Sequence, residues 1–75
     1  MTNLKRFGKA LESAAECGRY AADMWPGRPV EEAVETWIMA HSDEWLSSWS
    51  ESACDAMRDA FRTAWAAEWA RQHAA

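Results

Sequence analysis

Four side chains in this chain could act as nucleophile, base or soft metal ligand: Cys17, Cys54, His41 and His73. Catalysis needs such groups to converge on one pocket, and a structural zinc site needs ligand pairs a few residues apart. No two of these four stand that close. His41 falls at the edge of an apolar helical stripe, which suits a helix C-cap or core-edge residue, and His73 lies near the C-terminus. Carboxylates at helical spacing, such as Glu31 and Glu35, are commonplace on solvated helix faces, and Gly8, Gly18 and Gly27 are too scattered to form a phosphate-binding loop. The expectation is therefore a non-enzymatic chain with no catalytic residue, metal or cofactor.

The elements that position these residues are read from apolar periodicity. The dominant stretch runs from Ser42 to the C-terminus without Gly or Pro. It opens on a capping serine with Asp43 and Glu44 and closes with Arg71 and His73, which predicts one long helix. On a helical wheel Trp45, Leu46, Trp49, Ala53, Ala56, Met57, Ala60, Ala64 and Ala67 form a broad core stripe. Phe61, Trp65 and Trp69 follow at i, i+4, i+8 on a second strip, beside Cys54, Arg58 and Arg62. Ser47, Ser48, Ser50 and Ser52 compete with helix for local hydrogen bonds, and Ser48 with Glu51 and Ser52 with Asp55 fit capping boxes. A break near Trp49 or Ser50 would give four helices instead of three.

A first helix is predicted from Thr2 or Asn3 to about Met24, with a seam at Leu4, Phe7, Leu11, Ala14, Gly18, Ala21 and Trp25. Its small residues admit close approach by a backbone or a bulky Trp. Gly8 and Gly18 each cost about 1 kcal/mol relative to Ala, so this helix depends on tertiary contacts. Pro26 drives Trp25 out of helical geometry, Gly27 permits positive φ, and Pro29 suits the first turn of a second helix. That helix, about Pro29 to His41, aligns Val30, Ala33, Val34, Trp37, Ile38 and His41 on one face and leaves Met39 on the polar side. The fold class expected is all-α: one domain over residues 1–75, a small three-helix bundle with a long C-terminal helix.

A chain of 75 residues buries only about 60% of its unfolded surface, so six tryptophans, or dimerisation, must supplement a marginal core. Two distant cysteines do not imply a disulfide framework. No secretory signal precedes them and no apolar run approaches a membrane span, so a soluble protein of a reducing, cytoplasmic compartment is expected.

The net charge of −4 is unevenly spread. Lys5, Arg6, Lys9, Arg19 and Arg28 outnumber the acids of residues 1–28, whereas Glu31, Glu32, Glu35, Asp43, Glu44, Glu51, Asp55 and Asp59 face Arg58 alone over residues 29–59. That block disfavours direct nucleic-acid binding and suits either a basic protein partner or imitation of a phosphate backbone. Two surfaces are candidates: an aromatic one of Arg58, Phe61, Arg62, Trp65 and Trp69, and an acidic one of Glu31, Glu32, Glu35, Asp43 and Glu44. The aromatics either pack as core on Leu4, Phe7 and Leu11 or stay exposed as an interface for a partner or a second copy. The function these features imply is binding to another protein or protein complex.

Three short stretches, P-V at Pro29 and Val30, E-A-V-E at Glu32 to Glu35 and L-S-S-W at Leu46 to Trp49, resemble in order parts of the theta subunit of bacterial replicative DNA polymerase III. The resemblance covers about a quarter of the chain and leaves the Trp-rich tail unmatched. It implies a three-helix, non-enzymatic accessory protein that binds a proofreading subunit. In size and type the chain is also similar to the small inhibitors that phages and mobile elements encode, anti-CRISPR proteins among them.

Overall fold

The computed structural model describes residues 4–40 and 49–74, with side chains from Phe7 onward in the first helix. These residues form an all-α three-helix bundle: α1 is Leu4–Met24, α2 is Val30–Ala40 and α3 is Glu51–His73. The expected cap at Thr2 or Asn3 and the roles given to His41, Ser42, Asp43, Glu44, Trp45 and Leu46 lie outside the described residues.

The turn between α1 and α2 follows from its prolines. The Trp25 amide donates to the Ala21 carbonyl at 2.9 Å, completing the last turn of α1, and the Arg28 amide donates to the Trp25 carbonyl at 3.0 Å. Pro26 and Gly27 are the central residues of that turn. Gly27 has no positive φ, so the left-handed conformation that its type suggests is not used, and Pro26 alone sets the reversal. The Pro29 carbonyl accepts from the amides of Glu32 (3.1 Å) and Ala33 (3.2 Å), which makes Pro29 the residue that flanks α2, one position outside the place expected for it.

The expectation of one continuous helix from Ser42 is corrected at its described end. Trp49 lies in a bend, and Ser50 is extended (φ −68°, ψ 163°) and caps α3. Its hydroxyl accepts from the Ala53 amide at 3.1 Å and its carbonyl accepts from the Cys54 amide at 3.0 Å. The helix thus begins within the break near Trp49 or Ser50 that the alternative reading required, capped by Ser50 and not by Ser52; Ser48 lies outside the described residues. Ala53 stands at the third helical position, so no acid reciprocates the cap.

α1 and α3 form the principal interface and run parallel. Phe7 meets Trp49 at one end (ring centroids 5.8 Å), Gly18 faces Phe61 midway, and Gln72 donates to Asp23 at the other end (3.1 Å). The core comprises Ala14 and Ala21 of α1, Ala33 and Val34 of α2, and Cys54, Met57 and Phe61 of α3. Phe61, Met57 and Val34 are fully buried, each contributing about 1.5–3 kcal/mol. Trp25, expected to extend the α1 seam, lies instead in the turn and is about half exposed, while Ala22, outside the seam, is fully buried. On α3 the buried arc is rotated from the expected stripe toward Cys54 and Phe61. Ala56 and Ala60 are only half-buried and Ala67 is exposed.

Gly18 explains that rotation. A Cβ there would collide with the Phe61 carbonyl oxygen and lie 3.1 Å from its carbonyl carbon and 3.2 Å from its Cα. The two backbones therefore touch, and α3 must turn its Met57–Phe61 segment to α1. Nothing lies within 4 Å of a Cβ built at Gly8. Gly18→Ala should destabilise the fold by about 1–3 kcal/mol through forced separation of the helices, whereas Gly8→Ala should stabilise it by about 1 kcal/mol. Urea unfolding midpoints of the two variants should move in opposite directions.

Candidate functional site

The aromatic strip of α3 is divided by the packing. Phe61 is 1% exposed and stacks on Trp37 of α2, with centroids 4.9 Å apart and planes at 27°, so it belongs to the core and presents no free surface. Trp65 is half-buried against the same core, and its indole N–H is buried without an acceptor. Trp69, 38% exposed, lies between Trp65 (6.4 Å) and the His73 ring (3.9 Å), both within 16° of parallel. The His73 Nδ1 lies 2.8 Å from the Trp69 carbonyl, which anchors the last turn.

The two arginines that frame the strip are engaged within the chain. Arg58 donates to Asp55 on its own helix at 2.8 Å. Arg62 reaches across to α2, where its Nε and Nη2 donate to the two oxygens of Glu31 at 2.7 and 2.9 Å, while Nη1 donates to Asp59 at 3.1 Å. This fork-to-fork geometry is the strong form of an arginine–carboxylate contact. The Arg62 hydrogen bond holds the Glu31 carboxyl below its ordinary range. Arg71 and Gln72 do the same for Glu68, in that order of effect. Of the acidic surface, Glu31 is therefore spent on α3, Glu32 pairs with Arg28 at 3.5 Å, and Glu35 is exposed on α2; Asp43 and Glu44 lie outside the described residues.

A surface that the sequence reading did not single out is assembled at the α1–α2 corner. Cys17, Tyr20 and Ala21 of α1 face Ala33, Thr36 and Trp37 of α2 across a cleft of about 290 Å³. Trp25 and Arg28 of the turn close one end, and Phe61 contributes at the interior. Tyr20 meets Trp25 edge to face (5.7 Å, 83°), and the Arg28 guanidinium lies 5.6 Å from the Trp25 ring centre. Burial pushes the Cys17 thiol up, against hydrogen bonding from Ser13 and Trp37, so the thiol is held protonated.

Tyr20 and Trp25, which line this cleft, are among the large exposed apolar side chains of the described residues, with Met24, Met39 and Trp69. Tyr20, Met24 and Trp25 are each about half exposed, and Met39 is 74% exposed. Met24 is one helical turn beyond Tyr20, and Met39 one turn beyond Thr36. The signal was available in the sequence: Tyr20 and Met24 are i, i+4 outside the α1 seam, and Pro26 expels Trp25 from the helix. A second depression of about 620 Å³, bounded by α1 and α3 alone, is floored by small residues such as Ala15, Ala56 and Ala60.

Comparison with protein families, with curated proteins and with solved structures finds no match. The likeness to theta subunits rests on the quoted residues alone. No described helix is long and apolar enough to cross a membrane.

Two outcomes test this geometry. Trp65→Phe, which deletes the unpaired N–H while keeping an aromatic body, should stay within about 1 kcal/mol of the parent. Trp65→Ala should cost about 3 kcal/mol, the low end for a large aromatic, because the ring is half-buried. Folding lowers the pKa of Glu31 and Glu68, so the stability they provide is present above the ordinary glutamate value of 4.5 and is lost as pH falls through the lower folded-state values. Glu31→Gln should flatten the acid limb of melting temperature against pH, and about 1 M salt should shrink the difference because the Glu31 carboxylate is exposed.

Proposed function

We propose that this chain is a non-enzymatic protein-binding module that joins another protein or complex and blocks or adjusts its activity. The observation that carries the reading is the exposure of Tyr20 and Trp25 along one apolar cleft, with Met24 and Met39 exposed one helical turn beyond its lining residues, in a domain whose core is already closed by Phe61, Met57 and Val34. Tyr, Trp, Met and Arg are the residue types that interfaces favour, and contiguous exposed apolar surface on a small protein marks a binding site. Trp69 provides a second, smaller exposed aromatic at the far end of α3. The acidic-mimic alternative is weakened by the internal pairing of Glu31 and Glu32. An inhibitor of a host complex, of the sort mobile elements encode, is the form of this activity that the chain's size and composition suit.

The test uses the tagged full chain and a Tyr20→Ala/Trp25→Ala double variant as baits in cells of the native host. A partner retained stoichiometrically by the parent, lost with the double variant, and altered in activity when reconstituted with the purified chain is the expected result. Both side chains are about half exposed, so the double variant should keep its helical content. A partner held equally by both baits overturns the reading of this surface.

A further inference from the structure

The cleft and its rim also bear on what kind of chain would cover them, an inference that rests on the protein-binding reading above. We infer that the α1–α2 cleft receives one bulky apolar side chain from a basic amphipathic helix of another protein. Size is the first argument. A cleft of about 290 Å³ lies at the bottom of the range of small-molecule sites, roughly 300–1,000 Å³, and matches a single large side chain better than an extended ligand. An occupant confined to the cleft would leave Met24 and Met39 uncovered.

The shape of the mouth favours a helix. Its α2 wall runs from Ala33 to Ala40, a length of roughly 10 Å at the helical rise, and the facing wall is another helix. Two packed helices leave a trough into which a third can lay an i, i+4 pair, the helix-in-groove mode of recognition. No strand, and so no free sheet edge, exists among the described residues to receive an extended peptide.

Charge fixes the sign of the partner. Glu16 precedes Tyr20 by one turn on the α1 edge, Glu32 precedes Thr36 by one turn on the α2 edge, and Glu35 adds to the field from the exposed side of α2. The one cation lining the cleft, Arg28, is paired with Glu32 and lies over Trp25. Lysines or arginines flanking an apolar anchor would therefore meet Glu16 on the α1 edge and Glu35 on α2, the Glu32 charge being already offset by Arg28, an attraction that added salt screens.

A phage-displayed library of randomised helical peptides, panned against the folded full chain, tests the inference. Enrichment of sequences with an aromatic or leucine anchor flanked by Lys or Arg is expected. Their affinity should fall at least tenfold with Trp25→Ala or Tyr20→Ala, and with Ala40→Leu, which fills the mouth from an exposed position. The same peptides should weaken as salt is raised. Enriched peptides that need Trp25 but are neutral or acidic would overturn the basic partner while leaving the docking reading intact. Peptides indifferent to all three substitutions, or no enrichment at all, would overturn occupancy of the cleft by a helix. Saturable, Trp25-dependent binding of free indole without any selected peptide would assign the cleft to a small molecule instead. The capture experiment on the native partner reads the broader function separately.

Discussion

The fold depends on the contact between Gly18 and the backbone of Phe61. There α1 and α3 approach too closely for even a methyl group to stand between them. Because α1 and α3 touch there, α3 must direct Met57 and Phe61 inward, and the Phe61 ring is carried to the α2 side, where Trp37 stacks on it. That stack, together with the Arg62–Glu31 fork, fixes α2 against α3. The width of the α1–α2 cleft follows, since Trp37 and Phe61 contribute to its interior while Tyr20 and Trp25 form its outer wall.

Much of this was legible in the sequence. The fold class, the extent of α1 and the chain reversal follow from apolar periodicity and from Pro26 and Pro29, whose geometry is local. The first residue of α3 was less legible, because neighbouring serines offer similar capping hydroxyls; the one that caps, Ser50, follows Trp49, which packs beside Phe7. Least legible was which of the two apolar strips of α3 faces inward. A wheel gives relative angles within one helix, whereas the absolute rotation is set by the Gly18 contact on another. The same limit hid the corner surface: Tyr20 and Met24 read as the flank of a seam until α2 is seen to leave them uncovered.

Charge shows a similar shift between chain and fold. The acidic block of residues 29–59 reads as one field in the sequence, yet Glu31 is clasped by Arg62, Asp55 by Arg58 and Asp59 again by Arg62. Of the two arginines that sequence reading placed at an interface, Arg62 thus ties α3 to α2, while Arg58 is held by a neighbour on its own helix. The carboxylates with less internal company, such as Glu35 on α2, are left to shape the field met by an approaching molecule.

The parallel arrangement of α1 and α3 has a kinetic consequence. Their contact joins residues more than half the chain apart, with α2 threaded between them, so the main interface cannot form by closing one short hairpin. Small helical domains usually fold fast because neighbouring helices zip together from local contacts. Here the largest entropic loss, closure of the loop between Gly18 and Phe61, precedes most of the reward. The chain should therefore be a slow folder for its class, with a transition state organised around the junction of its first and last helices.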